Sequence, residues 1–230
     1  MYLAGLTLEK GYGTKIWSPS ESEAGITNTI YDCSGYNNNG TITGTLTTTN
    51  ISGRYEYAGV FDNTFIHTLW GSESQTNLTY AAWINMTQYH PTDRSCIIIG
   101  GSYLTVSTGG KLSGYAYGKS PAGYHNGTTT IPLNTWTHIA IVWTNSNIIG
   151  YINGVQDFSI ACTGTISGTG ANKTDIGCES NQGSRRFYGS MADVRIYTTA
   201  LTANQIKELY NTSVTIDKNG NIYARELVEE

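Results

Sequence analysis

Carboxylates are the side chains that could catalyse glycoside hydrolysis, because a glycoside hydrolase needs two of them flanking the bond that it cleaves. No glutamate lies between Glu73 and Glu179, and the aspartates of that stretch are isolated from one another: Asp93, Asp157 and Asp175. The four histidines are dispersed and form no nucleophile–base pattern with a serine or cysteine. The sequence therefore favours a non-enzymatic domain, and a glycoside hydrolase is the alternative from another functional class.

A loop dense in oxygen-bearing side chains and glycines spans residues 31–40, YDCSGYNNNG. Ca²⁺ takes six or more oxygen ligands from carboxylates and carbonyls on such tight loops. We expect ligands from Asp32, Gly35, Asn37, Asn38 and Gly40, and Asp193 would add a carboxylate from a distant strand. The alternative is a loop held by Asx turns, in which Asp193 accepts backbone hydrogen bonds.

Aromatic side chains that could stack on sugar rings form a third group. One short strand-and-loop stretch holds Tyr115, Tyr117, Tyr124 and His125, and we predict a shallow polar-aromatic ligand site there. Further candidates on loops are Trp70 and the pair Tyr89 and His90. Packing against the core or its rim explains each of these side chains singly, so that alternative stays open.

The elements that position these side chains are predicted to be strands. Residues 136–159, WTHIAIVWTNSNIIGYINGVQDFS, predict an antiparallel meander, with Asn153 and Gly154 in a type I′ turn. Both faces of its first strand are largely apolar, so we expect burial on both sides, with Trp136 and Trp143 in the core. Short strands separated by turn signals continue along the chain, which predicts an all-β sandwich.

One short helix is predicted near the end of this pattern. Thr202 and Gln205 have the spacing of a capping box, and Ile206, Leu209 and Tyr210 follow as a short apolar stripe. Beyond it, Asn219 and Gly220 lie between two short apolar runs, which favours a small terminal hairpin.

Composition excludes several function classes. The 230 residues carry a net charge of −4 with no clustered basic patch, which argues against nucleic-acid binding. No apolar run is long enough for a membrane span. The first residues, MYLAGLTLEKGYG, lack a basic start followed by an apolar stretch, so we expect no signal peptide there.

The cysteines show no CxxC spacing, which argues against a zinc site. The cysteines are Cys33, Cys96, Cys162 and Cys178, and we expect all of them to be free buried thiols. A disulfide between Cys162 and Cys178, the two nearest in sequence, stays open.

Several motifs, taken in order, resemble those of the laminin-G-like, concanavalin A-like jelly-roll domain. They are DCSGYNNNG (32–40), VFDN (60–63), YAAWI (80–84), WTHIAIVW (136–143), YINGV (151–155), FYGSMADVRIY (187–197) and the final helix. The resemblance covers about residues 25–211 and implies two curved antiparallel sheets. It also implies a structural calcium that ties the 32–40 loop to Asp193. Asn63, Asn153 and Ala192 depart from the family pattern, so a single carboxylate, Asp193, survives at the usual acidic pair.

These observations lead to a prediction of organisation and function. Residues 1–211 are assigned to the jelly-roll domain and residues 212–230 to a C-terminal hairpin or tail. The tail resembles the ends of phage virion proteins and would serve assembly; the alternative is a strand pair that closes the sandwich. We expect a glycan-binding or decorating domain of a phage virion appendage, on the virion or another extracellular surface. Its partners would be a surface glycan or polysaccharide and virion or other assembly proteins, with homo-oligomerisation left open. The alternative is a carbohydrate-binding module of a bacterial secreted protein.

Overall fold

Two antiparallel sheets form the bulk of the protein. The computed structural model describes residues 13–15, 29–30, 32, 38–51, 55–68, 70, 74–167, 174–179, 185–216 and 222–226. Within this part each of the two sheets has eight strands, and a helix and a two-stranded hairpin follow the last long strand. The predicted all-β sandwich of two antiparallel sheets is confirmed, whereas the predicted division at residue 211 stays a prediction.

The strands and the helix have the following bounds. The first half of the chain contains β1 (Gly13–Lys15), β2 (Thr29–Ile30), β3 (Gly40–Thr43), β4 (Thr47–Ile51), β5 (Tyr55–Phe61), β6 (Phe65–Thr68), β7 (Leu78–Met86), β8 (Ser95–Ile99), β9 (Ser102–Val106) and β10 (Lys111–Ala116). The second half contains β11 (His125–Thr130), β12 (Thr137–Trp143), β13 (Asn147–Ile152), β14 (Val155–Ala161), β15 (Thr174–Ile176), β16 (Gly189–Tyr197), α1 (Ala203–Asn211), β17 (Thr212–Ile216) and β18 (Ile222–Glu226).

Strand order shows how distant parts of the chain meet. The first sheet runs β14-β13-β12-β7-β16-β5-β4, and β1 also pairs with β16. The second sheet runs β11-β10-β9-β8-β15-β6-β3-β2. Neighbouring strands in both sheets are therefore often far apart in sequence, and this non-local pairing is typical of jelly rolls.

Strand β12 shows why the core lies where it does. Ile139, Ile141 and Trp143 point into the core between the sheets, whereas Ala140 and Val142 point to the opposite face. Every residue of β12 is buried, which confirms the predicted cover on both sides.

The helix supplies the cover on that outer face. The predicted capping box is present: the N–H of Gln205 donates to the Thr202 side chain, and the Thr202 N–H donates to the Gln205 side chain. Ile206 and Leu209 are buried in the cluster that contains Ala140. The local cap thus starts the helix, and apolar contact with the first sheet holds it in place.

The turn between β13 and β14 is of the predicted type. Asn153 and Gly154 have φ of 49° and 75°, and both values lie in the left-handed region. The Asn153 side chain also accepts a hydrogen bond from the N–H of His138, at 2.9 Å. Asn63, which stands where the resembled family usually has glycine, likewise has φ of 60°, a conformation that asparagine tolerates.

The sequence predicts a loop for residues 120–132, with its Pro121, Tyr124 and His125, but strand β11 forms within that stretch. Its sequence, HNGTTT, has no apolar alternation, so pairing with β10 and contacts with β14 hold it instead. Asp157 accepts hydrogen bonds from the N–H groups of Thr128 and Thr129, at 3.2 and 2.9 Å. A strand predicted for residues 2–8 lies outside the described residues.

Two further predictions from the sequence concern the cysteines and membrane-spanning segments. Cys96 and Cys162 are free thiols, and all three of Cys96, Cys162 and Cys178 are buried, which raises the pKa of each thiol. Cys33 lies outside the described residues. No helix in the described part of the chain has the length and apolar character that crossing a membrane requires.

Candidate functional site

Four tyrosines gather on the outward face of the second sheet. Tyr103 on β9 pairs directly with Tyr115 on β10, so both side chains lie on the same face. Tyr117 follows two residues later on that face, and the loop before β11 brings in Tyr124. Their neighbours Leu104 and Ala116 point into the core instead. We call Tyr103, Tyr115, Tyr117 and Tyr124 the tyrosine cluster.

The rings of the tyrosine cluster are in mutual contact. The Tyr115 ring centroid lies 4.8 Å from that of Tyr117, nearly perpendicular to it, and 5.1 Å from that of Tyr124. The hydroxyls of Tyr103 and Tyr117 are 3.1 Å apart. Tyr103 is buried, whereas 44% of Tyr117 is exposed. The cluster therefore has a buried base and presents the Tyr117 ring to solvent.

Arg94 fixes the position of Tyr124. Its guanidinium carbon lies 3.9 Å from the centroid of the Tyr124 ring, which is a cation–π distance. The same guanidinium donates to the side-chain oxygens of Ser113 and Asn126, at 2.9 and 3.0 Å. The outer face of β10 and the start of β11 thus hold the arginine over the ring.

Arg185 approaches the same tyrosine from another segment. It donates to the Tyr124 hydroxyl at 3.1 Å and to an Asp93 carboxylate oxygen at 2.7 Å, and it also lies 3.1 Å from Glu179. Burial lowers the pKa of Arg185, but the hydrogen bond to Asp93 and the surrounding negative groups raise it overall. Its φ of 62° is strained for a residue with a side chain. These polar contacts hold the strained residue at the rim of the cluster.

Burial further favours the neutral form of three phenols in the cluster. It raises the pKa of Tyr124, Tyr103 and Tyr115, with the hydrogen bond to Tyr117 adding to the effect on Tyr103. These phenols are therefore neutral at physiological pH and act as apolar rings with a hydroxyl donor and acceptor. Such a surface suits uncharged polar ligands.

His125 does not join the tyrosine cluster. It pairs with Gly114, whose missing side chain would point at Ile141 and Ile148 in the core. The next residue, Asn126, points to the outer face and reaches Arg94. Because successive side chains of a strand alternate in direction, His125 lies on the opposite face, where its ring contacts the carbonyl of Pro121.

A laminin G-type family model, described as the concanavalin A-like lectin/glucanases superfamily, matches residues 62–207, which is more than half of the chain. The chain belongs to this superfamily. No curated protein matches it.

Several solved structures have folds similar to that of this superfamily domain. Domain 4 of AbnA, a GH43 extracellular arabinanase from Geobacillus stearothermophilus, was solved with arabinotriose; it is 25% identical, with a TM-score of 0.62 over 78% of this chain and 91% of that one. The binding domain of Paraclostridial Mosquitocidal Protein 1 is 17% identical, with a TM-score of 0.67 over 86% of this chain and 51% of that one. The binding domain of Botulinum neurotoxin DC, solved with rat synaptotagmin II, is 17% identical, with a TM-score of 0.59 over 90% and 54%.

The loop predicted to bind calcium is described only in part. The Asp32 carboxylate accepts a hydrogen bond from the N–H of Asn38 at 3.0 Å, and Gly40 begins β3. Gly35 and Asn37 lie outside the described residues. The visible contacts are those of an Asx-type loop, in which a side chain satisfies nearby backbone groups.

Asp193, the sixth residue predicted to bind calcium, forms an ion pair with Arg195. Arg195 donates to one of its oxygens at 2.8 Å and lies 2.7 Å from the other. The guanidinium uses one lone pair of each oxygen and would compete with a bound cation for this carboxylate. No group of three or more His, Cys, Asp and Glu is placed to hold a metal ion within the described ranges. The calcium site stays a prediction.

The three aspartates between Glu73 and Glu179 each contact another side chain or the backbone of the protein. Asp93 bonds Arg185, Asp157 accepts from Thr128 and Thr129, and Asp175 contacts His67. Asp157 lies near the start of β14 in the first sheet, whereas Asp175 lies in β15 of the second. These contacts account for the three carboxylates without a catalytic role.

Three important residues of the site were missed from the sequence. Tyr103 was assigned only to a strand, and Arg94 and Arg185 were not considered as site residues. Tyr103 and Tyr115 become neighbours through the register of β9 and β10, and Arg185 arrives from a distant segment. Strand β9 holds a single tyrosine, so no spacing pattern in the sequence indicates Tyr103.

Proposed function

We propose that the protein is a non-enzymatic glycan-binding domain and that its ligand stacks on the tyrosine cluster. The observation that carries this proposal is the exposed Tyr117 ring, 44% accessible, on a rigid base of three further tyrosines. An aromatic ring of this kind offers an apolar face with a polar tip. Neutral hydroxyls and the guanidinium of Arg94 would orient the ligand, as a few placed polar groups do in ligand sites generally.

The similar structures support the ligand class. Domain 4 of the Geobacillus arabinanase, which aligns over most of its length, binds arabinotriose, an uncharged oligosaccharide. Other similar structures are named as binding domains rather than as enzymes. Linear neutral oligosaccharides, with arabinotriose first, are therefore the probes of choice.

Replacing Tyr117 with alanine is expected to weaken oligosaccharide binding about tenfold or more, because the exposed stacking ring is lost while its buried neighbours remain. Isothermal titration calorimetry with arabinotriose, and a glycan array for the wider ligand range, would measure the loss. Tyr117→Phe should retain most of the affinity, since it keeps the ring.

The matched control is Tyr188→Ala. Tyr188 is half-buried ahead of β16 and has no ring contact with the tyrosine cluster in the described residues. The Tyr188→Ala variant should bind oligosaccharides with the affinity of the unmodified protein. Unmodified protein that binds no glycan on the array, or a Tyr117→Ala variant with full affinity, would overturn this proposal.

We also propose, from the sequence, that this domain is displayed on a phage virion or another extracellular surface. The C-terminal hairpin is present, with Thr212 paired to Glu226. It would serve as an assembly element, which predicts a concentration-dependent oligomer that is lost when residues 212–230 are deleted. Light scattering of both forms tests this, and identical masses at all concentrations would refute an assembly role.

A further inference from the structure

A concave site, separate from the tyrosine cluster, lies where β6 ends, β7 begins and β16 ends. It is a pocket of about 600 Å³, and the lining residues that matter here are Trp70, Gln75, Asn77, Thr165 and Thr198. We call it the Trp70 pocket. Asn77 and Thr165 are exposed, so the pocket opens to solvent.

The described lining of the Trp70 pocket is polar and uncharged. The side chains that the structure describes there are an indole, two carboxamides and several hydroxyls, and none of these is acidic or basic. Trp70 is 7% exposed, and Tyr80 supports its ring at a centroid distance of 6.3 Å. Carboxamides and hydroxyls both donate and accept hydrogen bonds. This combination suits a neutral polyhydroxylated ligand and disfavours an anion or a metal ion.

One atom of the pocket already lacks a partner. The side-chain oxygen of Gln75 is buried and accepts no hydrogen bond within the described residues. A buried acceptor left unpaired is destabilising, because it has lost its hydrogen bonds to water. A rotation of the Gln75 side chain would turn this oxygen towards the pocket, where a ligand hydroxyl could donate to it and an apolar ligand could not.

A single segment joins the Trp70 pocket to the tyrosine cluster. Ile166 and Gln75 exchange two backbone hydrogen bonds, at 2.8 and 3.0 Å. The neighbouring Ser167 donates its N–H to the carbonyl of Tyr117 at 2.8 Å. The backbones of Gln75 and Tyr117 therefore lie on opposite sides of this segment, about 10 Å apart at the usual strand spacing of about 4.8 Å. A ligand that contacts both sites must bridge a distance of this order.

The connection between the two sites is tightly packed. A side chain at Gly118, which follows Tyr117, would come within 2.3 Å of the carbonyl oxygen of Thr165. Gly118 has φ of 81° and thus meets both the space and the conformation required there. The two sites are held at a fixed separation, so a ligand that spans them would not need to order the protein first.

We infer that the Trp70 pocket is a second saccharide subsite, which binds a further unit of the same glycan chain that stacks on Tyr117. The inference rests on the proposed function and adds a specificity for chain length. Two linked contacts act together only when the ligand can reach both sites. Affinity should therefore rise sharply once the oligosaccharide is long enough to span the segment.

The test is calorimetric titration of the full chain with linear arabinose, xylose and glucose oligosaccharides of increasing length. Gln75→Leu removes the unpaired acceptor, and Thr165→Trp fills the pocket. Either change should weaken the binding of the longer oligosaccharides about tenfold and leave the shortest ligands that stack on Tyr117 unaffected. Gln156→Leu, the same exchange at an exposed position of β14, is the matched control and should bind normally.

The outcomes separate the two proposals. If the unmodified chain binds but Gln75→Leu and Thr165→Trp match its affinity at every length, this inference is overturned and the proposed function stands. If the unmodified chain binds none of these oligosaccharides, and no glycan on the array, both are overturned. Circular dichroism of each variant ensures that a loss of affinity is not a loss of fold.

Discussion

Replacing Arg195 with methionine is expected to lower the free energy of unfolding by about 3–5 kcal/mol, because Asp193 would remain as a buried carboxylate without the guanidinium. The two residues are 3% and 8% exposed. Arg195 bonds both oxygens of Asp193, at 2.8 and 2.7 Å, and its remaining nitrogen donates to the Tyr197 hydroxyl at 3.2 Å. Urea denaturation monitored by tryptophan fluorescence would measure the loss.

The backbone around this ion pair guides the choice of control. Asp193 has φ of 49° at a register shift in β16, where aspartate and asparagine are tolerated better than apolar residues. The control is therefore Asp193→Asn combined with Arg195→Met, which removes both charges and should recover more than half of the lost stability. A single Arg195→Met variant within 1 kcal/mol of the unmodified protein would contradict this account.

The single variant Asp193→Asn tests the predicted calcium site at the same carboxylate. Arg195 already neutralises Asp193, so the ion pair alone predicts a melting temperature that is equal in calcium and in chelator. The predicted calcium site requires instead a rise of the melting temperature in calcium that Asp193→Asn abolishes.

Local signals allowed much of the first sheet to be predicted. The meander follows from period-two alternation and from Asn153–Gly154, and the helix follows from the capping box at Thr202. Each of these depends on residues close together in sequence, so no knowledge of the rest of the fold was needed. The burial of both faces of β12 was also predictable, because both of its faces are apolar.

The site was less predictable, because register and long-range contacts create it. Tyr115 and Tyr117 were proposed as ligand residues because they lie in one short stretch of the sequence, whereas Tyr103 joins them only through strand pairing. His125 was misplaced because β11 lacks an apolar pattern, and one residue of register decides which face a side chain takes. Arg185 reaches Tyr124 across 61 positions of the chain, a contact that sequence spacing does not indicate.

Trp136 and Trp143 were both expected to lie in the core, and the structure separates them. Trp143 is completely buried at the end of β12, and its ring meets that of Tyr80 at 5.2 Å and 75°. Trp136 precedes the strand and is only half-buried, against a smaller cluster that contains Trp83. The expectation is therefore confirmed for Trp143 and corrected for Trp136.

Trp143→Ala is accordingly expected to lower the free energy of unfolding by about 3–5 kcal/mol, since it leaves a large cavity between the sheets. Trp136→Ala, the matched control, should cost about 1 kcal/mol, because water can fill the space at the edge. Trp143→Phe should cost less than its lost volume suggests, since the buried indole N–H of Trp143 has no hydrogen-bond partner in the described structure. Urea denaturation of the three variants tests this order, and equal losses for Trp136→Ala and Trp143→Ala would contradict it. That order, if observed, would show that the contact between the sheets stabilises the domain more than the rim of the first sheet does.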